Sequence, residues 1–523
     1  MPSIKLSRPR IFMGLKDRFK NWRAREDRLS LKGWRPYFLI AAIGFLLYSQ
    51  TLFFGFTYFD DQDLVIRNQE VLSDVRNIGA IFSNDAFFSS SGAKFYYRPL
   101  LNLSLMLDAQ LGLLDSQTAT LTFFFHLSNI LLHLLAAGLV FYLLDRLLKK
   151  RTPAFVLALF FLVHPALAPA VAWIPGRNDS LLAIFVLTAF LVFLNFLEKP
   201  RLRSYLGYLA LFFCALLTKE SAIGLPLAVI FYFWLVDKGR IQVHDRFFLI
   251  AGSAVMIFFW ALMRQLAFGI GQSGHLAGLA DIWHNLPALF IFAGKLILPF
   301  DLSVLPTLAN APFIWGILGL SGFLALSLIF PPKRPVRFWF GLFWIAIFLF
   351  PTFLNPDTSA GFLSHRLYLS FFGFLLILGE FEWMSPLFFK RWRYYLIISL
   401  ILAFLAALTI FHSLSFRNRL VFWTQAVSDS PLSPLAQRNL GAMYYLEGRS
   451  DLAEPYYRQA LLLNPREPMA HNNLGVIYMD RKEYRQAQAE FSRELEVNPG
   501  YQDAIDNLIF VERRLQLEKQ PAD

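Results

Sequence analysis

Asp60, Asp61 and Asp63 stand in the run Tyr58-Phe59-Asp60-Asp61-Gln62-Asp63, directly after the first long apolar stretch of the chain. Carboxylates crowded at an apolar boundary, between Phe59 and Leu64-Val65-Ile66, lose water and repel one another. Both effects raise the pKa of one of them and suit it to taking a proton from a hydroxyl. A solvated loop start would account for the aspartates, but not for their place at the end of an apolar run.

Isolated cations recur in similar places. Tyr97-Arg98-Pro99-Leu100 opens an amphipathic segment running to Leu113, and Arg366 lies in Ser364-His365-Arg366-Leu367-Tyr368-Leu369 at the start of another apolar run. Either arginine could anchor at a membrane interface, or hold a phosphate by paired hydrogen bonds. Lys219 and Glu220 sit in Thr218-Lys219-Glu220-Ser221 between two apolar runs, where charges are costly unless paired or functional. Thr218 and Ser221 fit there as helix caps. His164-Pro165, followed by Trp173-Ile174-Pro175-Gly176-Arg177-Asn178-Asp179, reads as a tight reversal in which Arg177 and Asp179 form a turn salt bridge or contact a ligand. His126 and His133, seven residues apart on one helix face, are expected to bond to neighbouring helices more than to a metal.

These groups need a scaffold, and the composition says which kind. The chain has 523 residues, 56% hydrophobic and 16% charged, well above the ~45–50% apolar share of soluble proteins. Apolar runs at 36–56, 120–144, 153–173, 179–197, 204–217, 221–236, 246–266, 285–300, 312–331, 336–355, 366–384 and 394–414 are candidate spans. Residues 1–35 hold eleven Lys/Arg against three acids, which predicts a cytoplasmic N-terminal segment. The first apolar run starts near Pro36, too late and too long for a cleaved signal peptide. Later basic clusters around Arg146–Arg151, Lys199–Arg203, Lys238–Arg246, Lys333–Arg337 and Lys390–Arg393 all fall on the cytoplasmic side only if 285–300, which carries Lys295 and Pro287, is re-entrant or interfacial. About eleven transmembrane helices then remain. The long first loop (57–119), Arg177, Lys219, Arg366 and everything after about Ser415 fall on the outer face.

The net charge of +12 belongs to that membrane half, because the tail from Arg417 carries 13 Lys/Arg against 15 Asp/Glu. Topology explains it, and no nucleic-acid partner is implied. Cys214 is the only cysteine, which rules out an intrachain disulfide framework. The tail itself repeats. Asn439-Leu440-Gly441-Ala442-Met443-Tyr444 returns as Asn473-Leu474-Gly475-Val476-Ile477-Tyr478, and the same 34-residue offset links Ala453 to Ala487, Tyr457 to Phe491 and Pro465 to Pro499. This is the tetratricopeptide (TPR) period. Residues 417–431 read as the second helix of a truncated repeat and 501–515 as a capping helix, so a protein-binding α-solenoid is expected over 417–523.

Phe59-Asp60-Asp61, Tyr97-Arg98-Pro99-Leu100, His126…Asn129…His133, His164-Pro165…Trp173-Ile174…Gly176-Arg177…Asp179, Thr218-Lys219-Glu220 and Arg366-Leu367-Tyr368-Leu369 occur in this order ahead of the TPR tail. The set resembles the transmembrane and TPR-repeat-containing O-mannosyltransferase family and its bacterial relatives, within the GT-C glycosyltransferase class. The resemblance implies an all-α, polytopic GT-C bundle over 36–416 and a polyprenyl- or dolichyl-phosphate sugar as donor. It implies an inverting transfer to an extracytoplasmic hydroxyl, on a polypeptide presented by the TPR units. Asp60 or Asp61 would be the base, with a lean to Asp60. Arg98, Arg366 and Lys219 would contact donor phosphate, with Tyr97, His164, Arg177, Asp179, Glu220 and His365 as supporting or acceptor contacts. Pro169 and His365 replace acidic residues common in the family, which leaves the sugar and any divalent metal open. A bacterial inner membrane is preferred over the endoplasmic reticulum. Two other classes stay open: a noncatalytic membrane-anchored TPR scaffold, and a glycan ligase or polymerase.

Overall fold

A computed structural model describes residues 31–88, 96–112, 118–237, 242–268, 279–354, 362–384 and 392–519, and the regular structure of these residues is helical throughout. Six helices are long and apolar enough to cross a membrane: Arg35–Phe53, Thr122–Leu148, Ile174–Glu198, Val243–Phe268, Pro335–Leu354 and Trp392–Leu414. A seventh span arises if Arg151–Val163 and Pro165–Ala172, bent by 55° where Pro165 interrupts the ladder, are taken as one. Helices suit this setting because each satisfies its own backbone polar groups without water.

The bundle is built around Thr118–Leu148, whose small residues Ala136 and Ala137 are fully buried beside Phe141, Phe161 and Tyr368. The Pro335–Leu349 and Ser370–Glu380 helices approach closely through Gly341 and Gly373. A Cβ on either glycine would stand 2.5–2.6 Å from the other's carbonyl oxygen, so only glycine allows this contact. At the periphery the logic inverts. Only 22% of the Val243–Phe268 window and 11% of the Trp392–Leu414 window are buried, and they present Phe258, Leu266, Leu400 and Phe411 outward. Apolar faces of that extent suit lipid and not water.

The run at 285–300 forms the ten-residue helix Ala288–Ile297. At 1.5 Å per residue it reaches ~15 Å, about half the hydrocarbon thickness. Its Gly294 lies against Gly316 of the next helix, Ile314–Ile329.

The tail forms two helix pairs, Pro434–Leu446 with Ser450–Leu463 and Ala470–Asp480 with Tyr484–Val497, followed by Gln502–Lys519. The 34-residue recurrence has a steric cause. A Cβ on Gly441 would come within 2.9 Å of the Tyr457 ring, and one on Gly475 within 2.7 Å of the Phe491 ring. An additional helix, Arg419–Asp429, is capped by Asn418 Oδ1 accepting from the Val421 amide and joins this array to the bundle. Asp429 Oδ2 accepts from the Val304 amide at 3.1 Å, and Ser430 Oγ donates to the Leu305 carbonyl at 2.7 Å. The apolar part of the junction unites Phe54, Trp173, Leu305 and Leu363 with Phe422, Trp423 and Leu440.

Candidate functional site

The loop after the first span is shaped by Asp61. Its carboxylate accepts from the Thr57 amide at 2.6 Å, from the Thr57 hydroxyl at 3.1 Å and from the Phe59 amide at 3.0 Å. This closes a tight turn in which Tyr58 takes the left-handed conformation, φ 57°, uncommon for a bulky residue. Strain of this kind persists where surrounding contacts fix it. Asp61 is thereby 1% exposed and does not line the neighbouring cavity, whereas Asp60 does.

That cavity, about 590 Å³, lies between the first outer loop, the Pro175–Asp179 turn, the Lys219–Ser221 turn and the His365–Arg366 turn, with Leu435 of the TPR unit also in its lining. Four segments distant in sequence converge on it. Arg98 donates to Glu220 through Nε at 3.1 Å and Nη2 at 2.9 Å. Its guanidinium also lies over the Tyr96 ring, 4.1 Å from the centroid. Asn178, with its amide turned to satisfy both groups, accepts from Arg98 Nη1 at 3.0 Å and donates to the Thr218 carbonyl at 2.9 Å. Lys219 Nζ donates to Asp179 Oδ1 at 2.6 Å, and His365 Nε2 stands 3.8 Å from the other oxygen of Asp179.

Two cations are therefore already matched by carboxylates. Among the described residues Arg366 has no ion-pair partner; Asp60 and Asp179 lie near enough to attract it and Arg98 to repel it. Asp60 in turn accepts no hydrogen bond among these residues. Burial pushes its carboxyl up to about 7, the charge of Asp61 adds to the rise, and Arg98 and Arg366 oppose it. Asp61 is raised to about 6 by burial, with the hydrogen bonds from Thr57 and Phe59 holding it back. Burial also depresses His365 to about 3, so its ring is neutral near pH 7.

Several expected members lie elsewhere. Arg177 and Asp179 do not pair with each other. Arg177 is fully buried and meets Asp108, with Nε donating to Asn129 Oδ1 at 2.8 Å and Nη2 to the Phe125 carbonyl at 2.7 Å. Three helices are tied together by this one guanidinium, and it is not in the cavity lining. Gly176 is needed beside it, because a Cβ there would collide with the Pro169 carbonyl. Tyr97 points its hydroxyl to the Phe82 carbonyl at 2.9 Å, and it is Tyr96 that borders the cavity. His164 uses Nδ1 to accept from the Ala166 amide at 3.3 Å and lies against Phe371, 4.7 Å between centroids, outside the cavity lining. The Thr218 hydroxyl turns back to the Cys214 carbonyl at 2.8 Å and caps nothing ahead of it. His133 bonds Tyr368 Oη at 2.7 Å and the Leu162 carbonyl at 3.2 Å, the interhelical role expected of it. Among the described residues no three His, Cys, Asp or Glu side chains converge as a metal-binding group.

Tyr96, Asn178 and Asp108 carry parts of this arrangement that sequence reading passed over. Tyr96 lies two residues before Arg98 and Asn178 lies between Arg177 and Asp179, so proximity to a charged residue was the available signal. Asp108 offered a clearer one, as a lone acid within an apolar helical segment.

A helical bundle whose turns converge on a carboxylate and cations, joined to a TPR array, matches known families in two places. Residues 120–263 match the family model described as dolichyl-phosphate-mannose-protein mannosyltransferase, and residues 439–467 match a tetratricopeptide repeat. Over these two stretches the chain is similar to that mannosyltransferase family and to TPR proteins, and its curated relatives are distant. It is 35% identical over 199 residues to protein O-mannosyl-transferase TMTC1 of Mus musculus, a stretch covering 35% of this chain and 20% of the relative. Against Tmtc1 of Drosophila melanogaster the figures are 32% over 186 residues, 35% and 21%; against tmtc2 of Xenopus laevis they are 29% over 240 residues, 44% and 28%. The matched stretch spans between a fifth and just over a quarter of the length of these relatives.

Proposed function

We propose that this chain transfers a sugar, a mannose-like hexose, from a polyprenyl-phosphate carrier to a hydroxyl on an extracytoplasmic protein, with inversion at the anomeric carbon. The observation that carries the reading is the presence, in the lining of one cavity, of a carboxylate with a raised pKa, Asp60, and a guanidinium, Arg366, without an ion-pair partner among the described residues. Asp60 takes the proton of the acceptor hydroxyl as its oxygen attacks the anomeric carbon. The bond from that carbon to the phosphate oxygen breaks, and the electron pair stays with the lipid phosphate. Arg366 meets the charge that develops there, with Arg98 and Lys219 adding field from their paired positions; such stabilisation is strong in a site sheltered from water. A single unmatched cation among the described lining residues suits one phosphate group better than a diphosphate, which favours this donor class over the substrates of glycan ligases and polymerases.

The mannosyltransferase match over residues 120–263 and the relatives named protein O-mannosyl-transferases support both donor and acceptor class. For topology, six long spans and the bent pair account for up to seven crossings, and the eleven-span reading requires the shorter apolar helices Leu202–Leu216, Glu220–Val236, Ile314–Ile329 and Ser370–Glu380 to cross as well. Residues 1–35 are then cytoplasmic, 36–416 the membrane domain and 417–523 a periplasmic TPR domain of a bacterial inner membrane, where the TPR units select the acceptor polypeptide. The test is transfer by the purified full-length chain from a panel of polyprenyl-phosphate sugars to proteins of a membrane extract, read by mass spectrometry of the modified peptides. Loss of product from every donor in the panel would defeat the proposal.

A further inference from the structure

The base sits between two residues that are held far more tightly than it is. Asp60 accepts no hydrogen bond among the described residues, so its direction follows from the backbone on either side. On one side Asp61 closes the Thr57–Phe59 turn. On the other, the Phe59 ring is stacked on Trp173 at 5.6 Å and 20°, stacked on Phe422 at 5.9 Å and 26°, and met edge-on by Trp423 at 5.6 Å and 86°. Trp173 belongs to the membrane domain; Phe422 and Trp423 belong to the helix Arg419–Asp429 that leads into the TPR array. This helix and the residues leading into it touch the loop twice more nearby. The Gly55 amide donates to the Arg417 carbonyl at 2.8 Å, and the Arg419 guanidinium lies 5.1 Å from the Tyr58 ring centroid. Its far end is fixed to the membrane domain through Asp429 and Ser430.

We propose that Phe59 is a positioning residue for sugar transfer and that the Arg419–Asp429 helix, by clamping Phe59 against Trp173, is a structural part of the catalytic site. The inference rests on Asp60 being the base. It makes the TPR region more than an acceptor-binding appendage, because displacing its first helix removes the surfaces that hold the residue next to Asp60. Misplacing a reacting group by about 1 Å can cost ~10²-fold in rate, so the effect belongs in kcat, with the donor phosphate contacts at Arg366 left alone.

The experiment uses full-length protein in lipid nanodiscs and compares Phe59→Ala, Trp423→Ala, Trp423→Phe and Asp60→Asn. Phe59→Ala is expected to lower kcat by about tenfold or more with the donor KM unchanged. It should also move the acid limb of the pH profile to lower pH, because water reaches Asp60 while the charged groups facing it (Asp61, Asp63, Arg98 and Arg366) stay in place. Trp423→Phe should recover most of the kcat lost in Trp423→Ala, since the Trp423 indole N–H has no hydrogen-bond partner among the described residues. A wild-type kcat per folded protein and an unmoved acid limb in Phe59→Ala, with Asp60→Asn inactive, would overturn the positioning role alone. Wild-type activity in Asp60→Asn would overturn the base assignment and this inference with it.

Discussion

Arg98 and Glu220, 122 residues apart in the chain, meet through two guanidinium nitrogens at 3.1 and 2.9 Å. A carboxylate paired with an arginine proposed to face the donor phosphate looks counterproductive until the rest of the cavity is counted. Lys219 is matched by Asp179 in the same way, and among the described residues lining the cavity this leaves Arg366 as the cation without an ion-pair partner, which suits the proposed phosphodiester donor. The pairs hold two long side chains in place before donor arrives, and preorganised charge costs no rearrangement during the reaction.

Arg98→Ala leaves Glu220 as an unmatched carboxylate beside the donor phosphate. Donor KM should rise at least about tenfold, in line with the cost of stripping a buried charge of its partner. The double variant Arg98→Ala/Glu220→Gln should recover part of that loss, and a double-mutant cycle on donor KM measures the coupling. Strict additivity of the two changes would speak against the pair acting as a unit.

Arg366→Ala should reduce kcat by about 10²–10³-fold, the range found when one stabilising donor to developing charge is removed. Arg366→Lys keeps the charge but loses the planar fork, so it should fall between the two. Steady-state kinetics with a single polyprenyl-phosphate sugar provides the comparison. An effect on acceptor KM alone would place Arg366 outside the donor site.

Transfer should depend on pH through Asp60, whose carboxyl is raised to about 7. Only its ionised form accepts a proton, so kcat/KM falls about tenfold per unit of acidification below that value and levels off above it. His365, held near 3, stays neutral over this range and adds no second limb. A rate that rises as pH falls from 8 to about 6 would contradict a carboxylate base of this kind.

Asp108→Asn should destabilise the fold without altering the chemistry. It leaves the fully buried Arg177 unmatched, which costs about 3–5 kcal/mol for a buried pair broken on one side. Thermal unfolding in detergent is the measurement. The kcat per folded molecule should stay at the wild-type level, because Arg177 is not in the cavity lining.

The six long spans and the bent seventh, of about eleven expected, were readable because length and continuous apolarity are properties of a single segment. The TPR array was readable because Gly441 and Gly475 face aromatic rings one repeat apart in register. The acidic cluster was readable for the same local reason, its position at the end of an apolar run. Pairings were not. Arg177 has Asp179 two residues away yet bonds Asp108, 69 residues back, because the turn at Gly176 points the two side chains to different neighbours. The division of labour between Asp60 and Asp61 was equally hidden. It depends on the turn that Thr57 and Phe59 close around Asp61, and adjacent identical residues give no hint of which one the backbone consumes. Tyr96 takes the cavity position expected of Tyr97 for a similar reason, Tyr97 turning to the Phe82 carbonyl and Tyr96 lying against Arg98. The clamp on Phe59 was invisible too, since it needs the membrane domain and the TPR helix side by side.

The most direct test sets Asp60→Asn against Asp61→Asn in the same transfer assay, with thermal stability measured on both proteins. The account predicts that Asp60→Asn loses about 10²–10⁴-fold in kcat and melts as the wild type does. Asp61→Asn should instead lose about 1–3 kcal/mol of stability, because one of the acceptors that closes the Thr57–Phe59 turn becomes a donor. Wild-type turnover by Asp60→Asn would contradict the account at its centre.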